Sequence, residues 1–250
     1  MQCAGVFLDA GANRGDTLFS WYRTPACVNG PRLKNTFTTP RRGPCDWKWP
    51  WWLPLETRQT WCAESYEANA NFTRALRQTA AALRAELPAA SRVVVHTSTA
   101  VGVRDHVAPF GIDTVHGVGS SLQLQRRAMD RHGRSAGGEV VGRTTQPVRV
   151  VDLVRVVADL GATGVPIALK LDIEGTEYEV LRDLMLTGTL CRHVQTLWVE
   201  FHQPVAPVPA PSKGAFEWML QSHNASWEAL QREWLPLAST RCGTTLLRWD

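Results

Sequence analysis

Near its start the chain reads Gly5-Val6-Phe7-Leu8-Asp9-Ala10-Gly11-Ala12-Asn13-Arg14-Gly15, a short apolar run that stops at a turn containing two glycines. Residues 16–22 then continue with helical character. A strand, a tight turn and a helix in this order are typical of the first unit of a parallel α/β fold. This stretch therefore predicts the fold class of the chain.

Four more apolar runs with strand character follow, at 60–67, 92–96, 166–172 and 194–201. Helical spacing follows two of these runs, and residues 212–223 and 244–249 are predicted as a helix and a closing strand at the sheet edge. Each parallel connection needs a crossover helix, so the alternation predicts a doubly wound, mostly parallel sheet with helices on both faces. We expect a single domain over 1–250, with insertions at about 24–58 and 104–146.

The composition is that of an ordinary globular domain. With 250 residues, of which 44% are hydrophobic and 20% charged, the chain is long enough to enclose one large core. The net charge of +4 is scattered, with short basic clusters only at Arg41-Arg42 and Arg126-Arg127. We therefore expect no nucleic-acid groove.

The cellular compartment and the oligomeric state are left open by the sequence. No stretch approaches the roughly 18 apolar residues that span a bilayer, so we expect a soluble domain without a membrane span. It would lie in the cytoplasm or, if an N-terminal anchor precedes these residues, in the lumen of the secretory pathway. Asn71-Phe72-Thr73 and Asn224-Ala225-Ser226 are N-glycosylation sequons, which have meaning only in that second compartment.

The six cysteines, at positions 3, 27, 45, 62, 191 and 242, form no CxxC pair. Their spacing does not resemble a zinc site, and we expect no metal. In an oxidising compartment Cys27 with Cys45, or Cys191 with Cys242, are candidate disulfides. Buried free thiols are an equally good interpretation.

The turn after the first strand is a candidate ligand site, because ligands of open parallel sheets bind beyond the carboxyl ends of the strands. Gly11 and Gly15 precede a helix, whose free backbone N–H groups can hold an anion. The dinucleotide pattern G-x-G-x-x-G is not met, since Asn13 replaces its second glycine, and this argues against an NAD-linked oxidoreductase. S-adenosylmethionine (SAM) has no pyrophosphate; its carboxylate fits the N–H groups, and Asp9 would balance its positive charge.

Other strands also end in polar candidates. Glu67 ends the second strand, where an acidic side chain can accept hydrogen bonds from both hydroxyls of a ribose. Glu64, on the other side of the pleat from Glu67, is the alternative. The fifth strand brings Glu200 and His202 to the same rim as candidate general bases for a hydroxyl or amine acceptor. A lone histidine after a strand is more often structural.

The segment after the fourth strand, residues 170–177, reads Lys-Leu-Asp-Ile-Glu-Gly-Thr-Glu. Glu174 and Glu177 fall where a helix begins, and stabilisation by the helix dipole is a sufficient explanation for both. Asp172 closes an apolar strand at the expected ligand crevice. It is therefore the strongest candidate of the three carboxylates.

Three blocks of sequence together resemble the FkbM methyltransferase family: residues 7–17, residues 169–181 and Val199-Glu200-Phe201-His202. The block at 169–181, Leu-Lys-Leu-Asp-Ile-Glu-Gly-Thr-Glu-Tyr-Glu-Val-Leu, is the most specific. Shorter similarities at 66–69, 100–102, 119–122 and 148–153 extend the resemblance over nearly the whole chain in the expected order.

The resemblance implies a class I, Rossmann-like, SAM-dependent methyltransferase, commonly one that acts on hydroxyls of sugars or other metabolites. Motif position and strand ends together assign cofactor contacts to Asp9, Gly11, Asn13, Gly15, Glu67 and Asp172, and catalysis to Asp172, Glu174, Glu200 and His202. The acceptor is then a small molecule or glycan. We expect direct displacement from sulfonium to nucleophile, in a site that aligns the two.

The long segment before the second strand departs from the family pattern, because it holds four tryptophans within residues 47–52. If exposed, they would form a stacking platform for sugar rings or a lid; if buried, they would form a hydrophobic plug. A catalytically silent domain that binds a glycan or protein through Trp49 and Trp52 is therefore the alternative function. In the second insertion, residues 131–143 are predicted as a mobile surface loop.

Overall fold

The computed structural model describes residues 3–25, 49, 52–89, 91–113, 120–122, 127–129, 135–140, 144–202 and 235–248. The described strands are β1 (Val6–Ala10), β2 (Cys62–Glu67), β3 (Val93–Thr97), β4 (Thr99–Gly102), β5 (His106–Ile112), β6 (Arg127–Met129), β7 (Ser135–Val140), β8 (Thr144–Asp152), β9 (Ile167–Leu171), β10 (Val194–Val199) and β11 (Thr245–Arg248). The helices are α1 (Asp16–Arg23), α2 (Leu55–Arg58), α3 (Thr73–Glu86), α4 (Leu153–Gly161), α5 (Glu177–Leu186), α6 (Thr189–His193) and α7 (Leu235–Cys242), and a 3₁₀ turn covers Ala70–Phe72.

A parallel sheet of six strands occupies the centre of this structure, in the order β11-β10-β9-β1-β2-β3. All neighbouring pairs in it are parallel. The central strands β1 and β9 are buried at every residue, as their almost continuous apolar sequence requires in a sheet covered on both faces. The predicted doubly wound parallel sheet is therefore confirmed.

Helices cover both faces of the sheet. Successive side chains of β1 point to opposite faces, and each face forms its own core with the helices packed on it. Leu8 packs with residues of α4, α5 and α6, whereas its neighbour Phe7 packs with residues of α1 and α3. On α3 the buried positions are Leu76, Ala80 and Leu83, which recur at the spacing of one helix face. The observed α/β architecture is that of a Rossmann-like fold.

The carboxyl-terminal end of the described chain completes the sheet. β11 pairs with β10 at the edge, which confirms the closing strand predicted at 244–249. The predicted helix at 212–223 lies outside the described residues. In the ranges given above, no helix combines the length and apolarity needed to cross a bilayer.

The second insertion is more regular than its sequence indicates. β8 pairs with β5 in antiparallel and with β4 in parallel orientation, forming a separate three-stranded sheet. The chain passes from β3 to β4 through Ser98, which has a positive φ of 53°. The loop predicted at 131–143 is wrong for residues 135–140, because β7 pairs there with β6. The sequence gives no strand signal here, because residues 135–140 include two glycines, and glycine is depleted in strands.

Trp49, in the Trp-rich segment, is buried in the core beside α1. Trp49 is 2% exposed and meets the rings of Trp21 and Trp198 edge-on, with centroids 5.2 and 5.7 Å apart. Its indole N–H donates to the Ser20 hydroxyl at 2.9 Å. This supports a hydrophobic plug at Trp49, whereas Trp52 is 45% exposed. Trp47 and Trp51 lie outside the described residues.

Two disulfides connect elements that are distant in the sequence. Cys191 is bonded to Cys242, as one of the two candidate pairs predicted. Cys3 is bonded to Cys62, a pair that was not predicted. The interpretation as buried free thiols is therefore wrong for these four residues, and the pair Cys27–Cys45 lies outside the described residues.

Candidate active site

A cavity of about 270 Å³ opens at the carboxyl ends of β1, β2 and β9. Its polar lining includes Asn13, Glu67, Thr99, Ser120, Asp172, Glu174, Thr176 and Glu200, and its apolar lining includes Phe72, Ala100, Val101, Phe110 and Leu122. A cleft with an apolar wall and a few convergent polar groups is the usual form of a small-molecule site. It lies where the topology of the sheet predicts a ligand.

The turn between β1 and α1 forms the floor of the cavity, and only part of it faces the interior. Gly11 and Asn13 line the cavity, and both have positive φ, 84° and 51°. Gly15 does not line it: a β-carbon there would lie 3.0 Å from the side chain of Thr79, so Gly15 allows α3 to approach the turn. Sequence reasoning grouped these residues, and the structure separates them.

The backbone N–H groups of residues 11–13 bind protein acceptors, so these three are not free for the anion expected at the start of the helix. The N–H groups of Gly11 and Ala12 both donate to the carbonyl of Tyr66, at 3.0 Å each. The N–H of Asn13 donates to Glu67 Oε2 at 2.6 Å. Residues 11–13 are thus tied to the end of β2, and their N–H groups supply rigidity to the turn.

Asp9 lies beneath the turn and is fully buried. Asp9 is not among the residues that line the cavity. Its carboxylate faces Lys170, whose Nζ lies 3.3 Å from Asp9 Oδ1 and 3.0 Å from Asp172 Oδ2. Nζ also donates to the carbonyl of Gly11 at 2.9 Å. Burial disfavours the ammonium, but the carboxylates of Asp172 and Asp9 outweigh it and raise the pKa of Lys170. Lys170 therefore remains charged and joins the turn to the end of β9.

Glu67 lines the cavity and also binds the turn between β1 and α1. Its Oε1 accepts from the N–H of Asn69 at 2.7 Å, opposite the bond from Asn13 to Oε2. Burial raises the pKa of Glu67 to about 7, against the lowering effect of these two N–H groups. Glu64 instead accepts a hydrogen bond from the Tyr66 hydroxyl at 3.1 Å and faces His96 at 3.6 Å, so it does not line the cavity.

Three carboxylates surround one nitrogen of His202 at the other end of the cavity. His202 Nε2 is 3.5 Å from Glu174 Oε1, 3.7 Å from Glu200 Oε1 and 3.9 Å from Asp172 Oδ1. The three carboxylates line the cavity, whereas His202 lies behind them. The structure thus brings together all four residues to which the sequence assigned catalysis.

Glu177 holds this cluster in place, a function that sequence reasoning missed. It is fully buried, faces His202 Nδ1 at 2.8 Å through Oε1, and accepts from the N–H groups of Ile173 and Gly175 at 2.9 Å each. A side chain that only balanced the helix dipole would be exposed in the first turn of α5. Glu177 instead fixes both the ring of His202 and the loop that carries Glu174.

The charges in the cluster are set by burial and by the neighbouring groups. Burial by itself would lower the pKa of His202, but its bond to Glu177 and the carboxylates of Glu174 and Asp172 raise it to about 9. Burial and the negative charge of Asp172 raise the pKa of Glu200 to about 7. At neutral pH His202 is therefore a cation, and Glu200 is poised near its titration point.

The same cluster offers a possible set of metal ligands. In the part of the chain that the structure describes, Asp172, Glu200 and His202 place one ligand atom each within 4.8 Å of one another. An imidazole with two carboxylates suits several divalent ions. The protonated His202 described above supplies positive charge at the same place, and the absence of a metal stays a prediction.

Residues from the small second sheet complete the wall of the cavity. Thr99 and Ala100 of β4 and Phe110 of β5 line it, and Ser120 accepts from the N–H of Asp113 at 2.9 Å and from the Asn69 amide at 3.2 Å. Phe110 belongs to the predicted insertion and carried no sequence signal for a site. Its contribution follows from the pairing of β5 with β8.

The six-stranded sheet and the cavity beyond its carboxyl ends define the class: the chain has a Rossmann-like α/β fold with a small-molecule site. The family model described as Methyltransferase FkbM domain matches residues 9–208, which is most of the chain. The protein therefore belongs to the FkbM methyltransferase family, as its sequence motifs predicted. No curated protein and no solved structure shows significant similarity to it.

Proposed function

We propose that the chain is a SAM-dependent O-methyltransferase that acts on a hydroxyl of a sugar or another hydroxylated metabolite. The observation that carries the proposal is the cavity itself, which is lined by the ribose-type carboxylate Glu67 at the end of β2 and by Asp172 and Glu200 directly after β9 and β10. A methyl donor and its acceptor could therefore bind in one site.

The residues around Glu67 suit the nucleoside part of SAM. Each oxygen of Glu67 already accepts one backbone N–H, and the remaining lone pairs can accept two ribose hydroxyls. Phe72, Phe110 and Leu122 supply an apolar wall for a purine ring. Asn13 would lie against the same part of the cofactor through its side chain, since its N–H binds Glu67.

The charged end of SAM would face the turn and the end of β9. Gly11 leaves space there, and the carboxylates of Asp172 and Glu174 favour a positively charged group. Asp9 would act indirectly, because it holds Lys170, which in turn holds Asp172. When bound, SAM supplies an electrophilic methyl group on a sulfonium.

Glu200 is the side chain best suited to remove the acceptor proton. It lines the cavity, whereas His202 lies behind the carboxylates. A general base is most effective when its pKa lies near the working pH, and that of Glu200 is raised to about 7. His202, held as a cation by Glu177, limits the repulsion among Asp172, Glu174 and Glu200 and keeps them at one place.

A hydroxylated acceptor fits the chemistry of this end. Carboxylates accept hydrogen bonds from hydroxyl groups, and Asp172, Glu174 and Glu200 offer several such oxygens at the cavity lining. They would orient a polyol and align one hydroxyl with the methyl donor, which is the main source of rate in a direct displacement.

Calorimetric titration of SAM into the folded protein tests the cofactor, and a mass-shift screen with labelled SAM over glycans and lipid-like alcohols tests the acceptor. We expect saturable SAM binding and label in a hydroxylated acceptor. Absence of SAM binding to folded protein would refute the proposal and favour the catalytically silent domain. Label on an amine alone would refute O-methylation.

A further inference from the structure

Asn71 is an exposed residue of the 3₁₀ turn before α3, outside the cavity lining. It begins the sequon Asn71-Phe72-Thr73, whose middle residue is buried, with 8% of its surface exposed. The N–H of Asn71 donates to Asn69 Oδ1 at 3.0 Å, which fixes the backbone without using the Asn71 side chain. The acceptor amide is thus presented at the surface by an anchored segment.

The surface beside Asn71 has room for a large substituent. A shallow, open depression runs along the exposed side of α3 and is lined by Asn71, Thr73, Arg74, Arg77 and Gln78. Arginine and glutamine side chains donate hydrogen bonds to hydroxyl oxygens. A glycan attached at Asn71 would therefore lie over a polar surface and leave the cavity open.

The two disulfides indicate an oxidising compartment, which is where a sequon can be glycosylated. This indication is independent of the sequon itself. Cys3 is bonded to Cys62, and Cys191 to Cys242. Structural disulfides form and persist in oxidising compartments and are rare in the cytosol. Each bond forms as two thiols lose two protons and two electrons to a protein disulfide donor.

We propose that this chain matures in an oxidising, secretory-type compartment and that Asn71 carries an N-linked glycan there. The co-reactant is a lipid-pyrophosphate-linked oligosaccharide. The bond between its anomeric carbon and the pyrophosphate oxygen breaks, a new bond forms to Asn71 Nδ2, the amide loses a proton, and the lipid pyrophosphate leaves. This proposal does not depend on methyl transfer.

One tryptic digest of the native protein tests both the disulfide and the glycan. The protein is immunoprecipitated from the cells that make it, its free thiols are blocked, and it is digested with trypsin without reduction. Residues 59–74 form one tryptic peptide that contains both Cys62 and Asn71. We expect this peptide linked through Cys3 to the tryptic peptide that ends at Arg14, and an N-glycosidase should release a glycan and convert Asn71 to Asp.

Blocked thiols at Cys3 and Cys62 in that digest would overturn the compartment and the glycan together. A linked peptide with an unmodified Asn71 would overturn the glycan.

Variants expressed through the secretory pathway localise the modification. Asn71→Gln and Thr73→Ala should each remove one glycan from the mobility pattern, whereas Thr73→Ser should keep it. Asn224→Gln is the matched control, and it should leave the glycan on the 59–74 peptide unchanged. Because occupancy is read on peptides, a variant that folds poorly still gives an answer.

The test is distinct from that of the proposed function. A glycosylated protein that fails to bind SAM would refute the methyltransferase proposal and leave this one intact. An unglycosylated, disulfide-free protein that methylates a hydroxyl would do the opposite.

Discussion

Gly11 lies directly against the backbone carbonyl of Asp172: a β-carbon on Gly11 would come within 1.7 Å of that oxygen. The contact follows from the sheet, because β1 and β9 are neighbours and Ala10 is in register with Leu171. The turn between β1 and α1 and the carboxyl end of β9 therefore meet at one position, where no side chain fits.

Gly11→Ala should destabilise the protein by more than about 3 kcal/mol, because it combines a left-handed φ with a clash against backbone. Gly164→Ala is the matched control: its φ is +78°, but nothing lies within 4 Å of the added carbon, so we expect a loss of only about 1 kcal/mol. Urea unfolding of both variants measures the difference. Equal losses would show that the contact with Asp172 has no energetic consequence.

Glu67→Gln should weaken SAM binding about 10- to 100-fold, since hydrogen bonds to a charged group contribute roughly 1.5 to 3 kcal/mol. Glu64→Gln, on the same strand but directed at Tyr66 and His96, should leave the affinity unchanged. Calorimetry on the two folded variants compares them. If Glu64→Gln had the larger effect, the assignment of the ribose carboxylate would be reversed.

The rate of methyl transfer at saturating SAM should rise with pH, with its midpoint at or below about pH 7. The base acts only when deprotonated, the pKa of Glu200 is about 7 in the free protein, and a bound cation would lower it. Glu200→Gln should reduce kcat by a factor of about 10² to 10⁴ and abolish this rise. The profile is measured at saturating cofactor, because the pKa of Glu67 in the free protein is also about 7 and would otherwise affect cofactor binding over the same pH range. Persistence of the rise in Glu200→Gln would assign the base elsewhere.

His202 should contribute stability that is lost at alkaline pH. Its pKa in the folded state, about 9, lies above the ordinary value of 6.5, so its contribution is complete below about pH 6.5 and disappears as pH rises through 9. The difference in unfolding free energy between wild type and His202→Asn should fall by on the order of 3 kcal/mol over this range. His106→Asn, at an exposed site, is the control. A difference independent of pH would contradict the charged state of His202.

Trp49→Ala should lower the free energy of unfolding by about 3 to 5 kcal/mol, the range for a buried aromatic side chain. Trp52→Ala should change it by less than about 1 kcal/mol, because Trp52 is 45% exposed. Chemical denaturation distinguishes them. Loss of glycan affinity in folded Trp52→Ala, with SAM binding absent, would support the silent binding domain instead.

The central sheet was predictable because its signals are local. Apolar runs such as Val6–Ala10 and Ile167–Leu171 are short, bounded by turns and followed by helices, and burial on both faces requires that pattern. The positions of Glu67, Asp172 and Glu200 followed, since the carboxyl ends of parallel strands meet at one edge. A rule of topology was enough to place these side chains together.

The contacts that organise the site were not predictable in the same way. Glu177 stood where a helix begins, and its bond to His202 joins positions 25 residues apart in the chain. The ion pair of Lys170 with Asp9 connects β9 to β1. β5 and β8 pair with each other although a glycine-rich stretch of sequence separates them. No local pattern carries such information, because each partner is chosen by the packing of the whole domain.

The sequence by itself determined the parallel α/β fold, the family and the strand ends that form the site, because these depend on periodicity and on short motifs. The tertiary structure alone decided which groups face the cavity. It showed that the turn N–H groups are bound to Tyr66 and Glu67, that Asp9 lies beneath the floor, and that Glu177 holds His202. These facts depend on distances between residues far apart in the chain, which only the folded packing sets.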